Sequence, residues 1–284
     1  MGVRGSRTLA AMNEPPGNRP LVMGILNVTP DSFSDGGRYL DPAAAIERGR
    51  QMVAEGADVV DVGGESTRPG AAPVDEAEEL RRVLPVVEAL SPETRVSIDT
   101  IKPNVAAAAV AAGATLVNDV GGALGPSAAD LGVGWVAMHM QGTPQDMQHD
   151  PRYGDVVAEV HDAVLTRARD ALAAGVPEVW VDPGIGFGKT AAHNLQLLAH
   201  LPDLVDGAAA LGARVLVGTS RKSFLGRFGT APGRPPVPVD DRLEASLATA
   251  VWALSEGAAM VRVHDVAPTV LAASLVGRPA AVAA

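Results

Sequence analysis

Short runs of apolar, mostly β-branched residues recur along the chain, and each is followed by a polar or glycine-rich turn and then by a helical pattern. Eight such runs predict eight strands: Val22–Leu26, Val59–Val62, Val96–Ile98, Leu116–Val117, Trp135–Met138, Val179–Val181, Val215–Val217 and Met260–Val263. Several are apolar at consecutive positions, which is typical of parallel strands buried on both faces. The pattern therefore predicts an α/β protein with a parallel sheet.

The segments between these strands carry signals for helix boundaries. Asp41–Pro42 predicts an N-cap followed by a proline at the first helical position, and Gly56 stands where a C-terminal glycine is expected. Pro85 lies inside a helical pattern and predicts a kink or a division of that helix. Between the fourth and fifth strands only Pro126–Leu131 is left for a helix, so the fourth helix is predicted to be very short.

Nearly every predicted strand is followed by polar residues, and this distinguishes two possible architectures. An open doubly wound sheet binds its ligand at one switch point, so only a few of its strands need to end in reactive side chains. A closed barrel gathers the ends of all its strands at one rim. A single aspartate at a strand end is as often a helix cap as a ligand contact, but a whole set favours a rim site. We therefore predict a (β/α)8 TIM barrel.

The chain length is compatible with one barrel domain. Residues 1–20 are polar and rich in Gly, Pro and Arg, without the apolar core of a signal peptide, and we expect them to form a disordered tail. Residues 21–284 are expected to form a single catalytic domain.

Composition excludes several classes of partner. The net charge is −10 and basic residues form no block, which argues against nucleic acid as a partner. No stretch of the sequence is apolar enough to predict a membrane span. The chain has no cysteine, which rules out disulfides and thiolate chemistry and agrees with a cytoplasmic protein. A small anion can still be bound by a few cationic groups in one cleft.

Three residues are candidates for such an anion site. Arg262 and His264 follow the eighth strand and Asn27 follows the first, and these strands are neighbours once a barrel closes. A guanidinium is well suited to phosphate, and an imidazole adds a further donor. The alternative is that Arg262 merely pairs with Asp265 at the rim.

The acidic and amide groups predict that another part of the ligand is a flat, uncharged ring. Asp182 with Asn118 suits a flat ring that carries an amino group beside a ring N–H, because one carboxylate accepts both donors. Asp99 can oppose positive charge that develops on the substrate. Lys222, one of three lysines, can donate to a ring carbonyl or nitrogen. The apolar wall of the site is expected from Phe187 or Met140.

Two segments after adjacent strands, 27–39 and 63–70, combine Gly, Pro, Ser and Asp and are expected to fold over a ligand. The segment GIGFGK at 184–189 lacks the spacing of a phosphate-binding loop and is not interpreted as one.

Eight motifs, in this order between about Val22 and Val270, resemble those of the dihydropteroate synthases: MGILNVTPDSFSDGG, DVGGESTRPGA, SIDT, NDV, MHMQG, DPGIGFGK, GTSRKSFLG and RVHDV. Related pterin-binding barrels, including folate-dependent methyltransferase domains, share the Asp and Asn pocket but are not expected to carry the first two loops and the SRK segment in this form. The resemblance is therefore specific.

The resemblance implies condensation of 6-hydroxymethyl-7,8-dihydropterin diphosphate with 4-aminobenzoate, assisted by Mg2+, in a homodimer inhibited by sulfonamides. Mg2+ keeps waters and takes oxygen ligands, so Asn27 with diphosphate oxygens is expected to hold it. By resemblance, the pterin site comprises Asp99, Asn118, Asp182 and Lys222, and the diphosphate site comprises Asn27, Arg262 and His264. The 4-aminobenzoate site comprises Phe33, Thr67, Arg68, Pro69 and Ser220, and Asp99, Lys222, Arg262 and His264 are the expected catalytic residues.

Two alternatives remain open from the sequence. A non-catalytic paralogue that binds a pterin would share the fold, because fold alone does not fix function. A pterin-dependent methyltransferase would need a corrinoid-binding partner or domain. Loss of a loop motif, Arg262 or His264 would favour the first alternative, and none is lost.

Overall fold

A computed structural model describes residues 19–29, 42–66, 73–228, 230 and 233–276. Within them eight parallel strands close into a barrel in chain order, each pairing with the next and the last with the first. The strands are β1 (Leu21–Asn27), β2 (Val59–Gly63), β3 (Arg95–Asp99), β4 (Leu116–Asp119), β5 (Gly134–Met138), β6 (Val179–Asp182), β7 (Arg214–Val217) and β8 (Met260–Val263). The predicted (β/α)8 barrel is confirmed.

Helices connect the strands and cover the outside of the barrel. They are α1 (Pro42–Ala54), α2 (Glu76–Leu90), α3 (Pro103–Ala111), α4 (Gly125–Leu131), α5 (Val156–Ala173), α6 (Ala191–Ala199), α7 (Leu201–Leu211), α8 (Leu243–Ser255) and α9 (Val266–Val276), with 3-10 turns at Ser223–Arg227 and Val239–Asp241. The fourth helix is very short, as predicted, with seven residues. None of these helices is both long enough and apolar enough to cross a membrane.

Pro85 was predicted to kink or divide its helix, and the division is wrong, because α2 runs as one helix through it. Val83, Val86, Val87 and Leu90 on the same helix are fully buried against the barrel. Burial of this apolar face offsets the single hydrogen bond that proline cannot donate. Where α1 ends, Gly56 has φ of 98°, a left-handed conformation that supports its predicted role as a helix-terminating glycine.

The tail expected over residues 1–20 lies mostly outside the described residues. Arg19 is described and is not free, because its guanidinium donates to the Asp58 carboxylate at 2.7 Å, before β2. Arg19 is therefore held against the barrel.

The barrel interior is filled by a layer of apolar side chains near its N-terminal end: Leu21, Met23, Val59, Leu116, Val136, Trp180, Leu216 and Met260. A second and larger core lies between the strands and the helices. The inner layer makes the barrel a packed structure rather than a pore, so a ligand can enter only above it, at the C-terminal ends of the strands.

A largely buried ionic network lies at the N-terminal end of the barrel. The Glu178 carboxylate, just before β6, accepts hydrogen bonds from Arg95 of β3 and Arg214 of β7 and from Trp180 Nε1 at 2.8 Å. The Arg214 guanidinium also lies 4.1 Å from the centre of the Trp180 ring. These contacts join three strands at the end of the barrel that is opposite to the expected site, where residues serve stability.

Candidate active site

A polar layer lies directly above the apolar layer inside the barrel. Side chains two residues apart on a strand face the same side. Four polar residues of this layer each follow an inner-core residue by two positions: Asp61 after Val59, Asn118 after Leu116, Asp182 after Trp180 and Arg262 after Met260. Strand periodicity therefore directs these groups inward at one height.

Arg262 is the centre of one half of this layer. Its Nε donates to Asp61 Oδ2 and its Nη2 donates to Asp99 Oδ2, both at 2.6 Å. Asn118 Nδ2 donates to the same Asp61 oxygen at 2.8 Å. Groups from β2, β3, β4 and β8 thus converge at the C-terminal rim, as the sequence analysis expected for Asp99, Asn118 and Arg262.

Asp61 is a member of this cluster that the sequence analysis missed. It is fully buried, and its Oδ1 has no hydrogen-bond partner among the described residues. The residue stands inside the run VVDVG, which was interpreted only as a buried strand. The signal that could have found it is the period of two, because a carboxylate two positions after Val59 must face the barrel axis.

The alternative pairing of Arg262 with Asp265 is wrong. Asp265 lies beyond the end of β8 and pairs with Arg221, whose Nε and Nη2 donate to it at 3.0 and 2.5 Å. Arg221 has φ of 58°, an unfavourable left-handed conformation for a residue with a side chain. The ion pair with Asp265 and a hydrogen bond from Arg242 to the Arg221 carbonyl hold this turn between Ser220 and Lys222.

Asp182, Lys222 and Phe187 form the other half of the site. Asp182 is 6% exposed, its Oδ1 accepts the Gly184 N–H at 2.7 Å, and no described residue donates to its Oδ2. Lys222 donates to the Ile185 carbonyl, and its Nζ lies 4.0 Å from the centre of the Phe187 ring. One carboxylate oxygen therefore remains available to a ligand beside a cation and an aromatic face.

Two further predicted residues lie against each other at the rim. Ser220 Oγ and His264 Nδ1 are 3.1 Å apart, and the His264 backbone N–H donates to the same hydroxyl at 3.1 Å.

Asn27 ends β1 beside Gly63, and its side-chain amide has no hydrogen-bond partner within the described chain. Met140 is partly buried two residues after β5, and Asp119 is a structural cap that accepts the N–H groups of the following turn.

Other predicted residues cannot be placed. Phe33, Thr67, Arg68 and Pro69 lie outside the described residues, as do parts of both loops expected to cover the ligand. A cavity of about 220 Å³ exists elsewhere, on the outside of the barrel between α4 and α5. Trp135 and Arg167 line it, and none of the predicted site residues does.

Burial shifts the pKa values of the charged groups of the site toward neutral pH. It raises the pKa of Asp99 to about 7, although Arg262 opposes the shift, and it also raises the pKa of Asp182 against the attraction of Lys222. Burial lowers the pKa of Lys222 to about 7 against the attraction of Asp182. A carboxyl group and an amine that change charge near pH 7, as Asp99 and Lys222 do, are typical of a catalytic or binding site.

The fold and this rim site define a barrel enzyme that binds a pterin: residues 23–264 match the protein family described as "Pterin binding enzyme". The chain is 48% identical over 265 residues to the dihydropteroate synthase of Mycobacterium leprae, covering 90% of this chain and 92% of that protein. The chain therefore belongs to the dihydropteroate synthase family.

Solved structures of dihydropteroate synthases resemble this chain in fold as well as in sequence. The Yersinia pestis dihydropteroate synthase in a sulfonamide drug complex is 44% identical, with a TM-score of 0.81 over 91% of this chain and 93% of that chain. The Xanthomonas albilineans enzyme in complex with 7,8-dihydropteroate is 45% identical, with a TM-score of 0.77 over 91% of this chain and 92% of that chain.

Proposed function

We propose that this chain condenses 6-hydroxymethyl-7,8-dihydropterin diphosphate with 4-aminobenzoate, releasing 7,8-dihydropteroate and diphosphate. It is a transferase of folate biosynthesis. The observation that carries the proposal is the polar layer at the C-terminal rim, in which an acidic and amide surface faces a guanidinium. The cysteine-free sequence agrees with a cytoplasmic enzyme.

The pterin ring is assigned to Asp182, Asn118 and Lys222. Because Gly184 fixes one Asp182 oxygen, the other is oriented to accept the exocyclic amino group and the neighbouring ring N–H. The hydrogen bond from Asn118 to Asp61 fixes the amide, so that its oxygen becomes an oriented acceptor. Lys222 donates to the ring, and Phe187 with Met140 supplies its apolar wall.

The reaction breaks the bond between the pterin methylene carbon and the diphosphate oxygen, and the electron pair leaves with diphosphate. Arg262 and His264 stabilise the negative charge that develops there. The positive charge left on the methylene carbon is delocalised by the dihydropterin ring and stabilised by the negative charge of Asp99. The amine of 4-aminobenzoate then forms the new C–N bond and loses a proton.

The 4-aminobenzoate site is assigned to Ser220 together with Phe33, Thr67, Arg68 and Pro69. Of these, only Ser220 is described, and its contact with His264 places it beside the proposed diphosphate site. A sulfonamide drug would compete with 4-aminobenzoate for these residues.

Mg2+ is assigned to Asn27 and the substrate diphosphate. The described residues contain no group of three acidic or histidine side chains that could hold a metal ion by themselves. Mg2+ commonly binds through one or two protein oxygens with substrate phosphates and waters, and the Asn27 amide offers such an oxygen. When bound, Mg2+ neutralises part of the diphosphate charge.

Replacing Asn27 with alanine is expected to raise the Mg2+ concentration required for half-maximal activity by about tenfold, from the loss of one oxygen contact. Titrating Mg2+ into the EDTA-treated enzyme and its variant measures this. Binding of pteroic acid, which has no diphosphate, should not change. An identical Mg2+ requirement in both proteins would reject Asn27 as a ligand.

The activity is expected to pass through a maximum near pH 7. On the acid side Asp99 and Asp182 take up protons and lose acceptors, and on the alkaline side Lys222 loses its charge. Arginine stays protonated at alkaline pH, so a Lys222→Arg variant that retains activity should show a weaker alkaline decline than the wild type. The pH dependence of kcat/KM for the pterin substrate tests both limbs. An alkaline decline of equal size in both proteins would contradict the role of Lys222.

A homodimer is proposed through helices α8 and α9. Trp252, Leu271 and Leu275 are 38%, 66% and 74% exposed there, and α9 carries no charged residue. Sedimentation of the wild type should give the mass of two chains. Leu275→Glu should reduce it to one, whereas Ile101→Glu, an exposed position elsewhere, should not. A monomeric wild type would reject the proposal.

The experiment that tests the proposed function combines purified protein, the dihydropterin diphosphate, 4-aminobenzoate and Mg2+, and measures dihydropteroate and diphosphate. We expect both products in equal amounts, and inhibition by a sulfonamide that more 4-aminobenzoate relieves. Absence of product with a folded protein that binds pteroic acid would support a non-catalytic paralogue instead.

A further inference from the structure

The segment that follows β6, residues 184–188, is fixed by side chains along its whole length. Each of its five carbonyl oxygens accepts a hydrogen bond from a side chain: Gly184 and Phe187 from Lys189, Ile185 from Lys222, Gly186 from Gln148 and Gly188 from Tyr153. A connecting loop usually leaves some of these acceptors to water. We call this segment the β6 loop.

Lys189 is at the centre of this arrangement. It is 3% exposed, and its Nζ lies 3.0 Å from the carbonyl oxygens of Gly184 and Phe187 and 3.2 Å from that of His139. Nζ is also 3.0 Å from His139 Nδ1. Burial and the charge of Lys189 lower the pKa of His139 to about 3, so the imidazole is neutral and its Nδ1 can accept. One ammonium group therefore joins the β6 loop to the end of β5.

The backbone of the loop comes very close to His139. Gly184 has φ of 66°, and a side chain there would begin 1.8 Å from the His139 carbonyl oxygen. Only glycine fits at this position. Lys189 donates to the carbonyl oxygens of both Gly184 and His139, and so holds the two backbone segments at this close approach.

The β6 loop in turn orients the groups assigned to the pterin ring. The Gly184 N–H fixes Asp182, the Ile185 carbonyl accepts from Lys222, and Phe187 places its ring beside the Lys222 ammonium. Lys189 donates to the carbonyl oxygens of the first and fourth residues of the loop. Because these bonds fix the loop backbone, they also fix the groups that make the three contacts.

We propose that Lys189 is a positioning residue of the pterin site: it fastens the β6 loop to the end of β5 and thereby orients Asp182 and Lys222 toward the ring. This role rests on the proposed function, because it assumes that the ring lies against those two side chains. Lys189 itself makes no contact with the substrate in this arrangement.

The charge of Lys189 gives the role a second measurable consequence. Lys222, Lys189 and Arg262 all favour the ionised form of Asp182, whose burial otherwise raises its pKa. Lys189 faces Asp182 and Lys222 as well as His139, and burial lowers its own pKa to about 7. Removing Lys189 should raise the pKa of Asp182 further. As the solution is acidified, the variant should therefore begin to lose pterin binding at a higher pH than the wild type does.

The test compares Lys189→Met and Lys189→Gln with the wild type, using calorimetry with pteroic acid and steady-state kinetics. Lys189→Met should weaken pteroic acid about 10- to 50-fold, and Lys189→Gln, which keeps amide donors, at least fivefold. KM for the pterin substrate should rise, KM for 4-aminobenzoate should change less than twofold, and the acid limb of binding should move to higher pH. If Lys189→Met does not fold, Lys189→Gln carries the test.

Glu178→Gln is the matched control, because it removes a charge with several buried partners at the opposite end of the barrel. It should lower the melting temperature without changing pteroic acid affinity. Folded Lys189 variants that bind pteroic acid as the wild type does, or that raise both KM values equally, would overturn the positioning role. A wild type that does not bind pteroic acid would instead overturn the proposed function, and this role with it.

Discussion

Replacing Asp182 with alanine should weaken pterin binding by at least about 2 kcal/mol, or roughly 30-fold, because two ring donors lose their acceptor in a buried site. The Asp182 oxygen that accepts no hydrogen bond from the described residues is the one assigned to the ring, while the other accepts the Gly184 N–H. Calorimetry with pteroic acid measures the loss directly.

Asp58→Ala is the matched control for this measurement. Its carboxylate is 10% exposed and also has two partners, Arg19 and the Val22 N–H, but it lies at the N-terminal end of the barrel. It should reduce stability and leave pteroic acid binding unchanged. Equal binding by the wild type and Asp182→Ala would remove Asp182 from the ring site.

Arg262→Met should have the largest effect on catalysis, a decrease in kcat of about 10²- to 10³-fold, which is typical of losing one group that stabilises developing charge. The same change leaves the buried carboxylates of Asp61 and Asp99 without their cation. Breaking a buried ion pair in this way is destabilising by about 3–5 kcal/mol. Thermal unfolding and steady-state kinetics together measure both effects.

Arg95→Met separates the two effects of Arg262. Arg95 is 4% exposed and pairs with Glu178 at the far end of the barrel, so its loss should lower stability to a similar extent while kcat stays near the wild-type value. A second comparison is made within the site. Arg262→Met should weaken diphosphate more than free pterin, and equal weakening of the two would contradict the assignment of Arg262 to the leaving group.

Strand ends were the part of the molecule that sequence reasoning predicted best. The β-branched runs locate the strands, and closure of the barrel then brings Asp99, Asn118, Asp182 and Arg262 together, because the ends of parallel strands meet at one rim. Asp61 was missed for a related reason. It lies within a strand, and an apolar run predicts burial without showing which side of the sheet each position faces.

Contacts between side chains of distant segments could not be predicted from the sequence. The sequence left open whether Arg262 pairs with Asp265, because the choice between Arg221 and Arg262 depends on which side chain faces the barrel axis. Lys189 was passed over because its partners are mainly backbone carbonyls, which have no signature in the sequence. Pro85 failed as a helix breaker because tertiary packing outweighed a local preference.

The polar layer above the inner core also bears on how durable this protein can be. Well-packed hydrophobic residues of similar volume often match or exceed the stability of a buried ion pair. A barrel in which Asp61, Asp99 and Arg262 were all replaced by aliphatic residues could therefore melt at a higher temperature than the enzyme, yet carry no chemistry. Thermal stability and catalysis therefore make opposite demands on these three positions, and the charged residues found there favour catalysis.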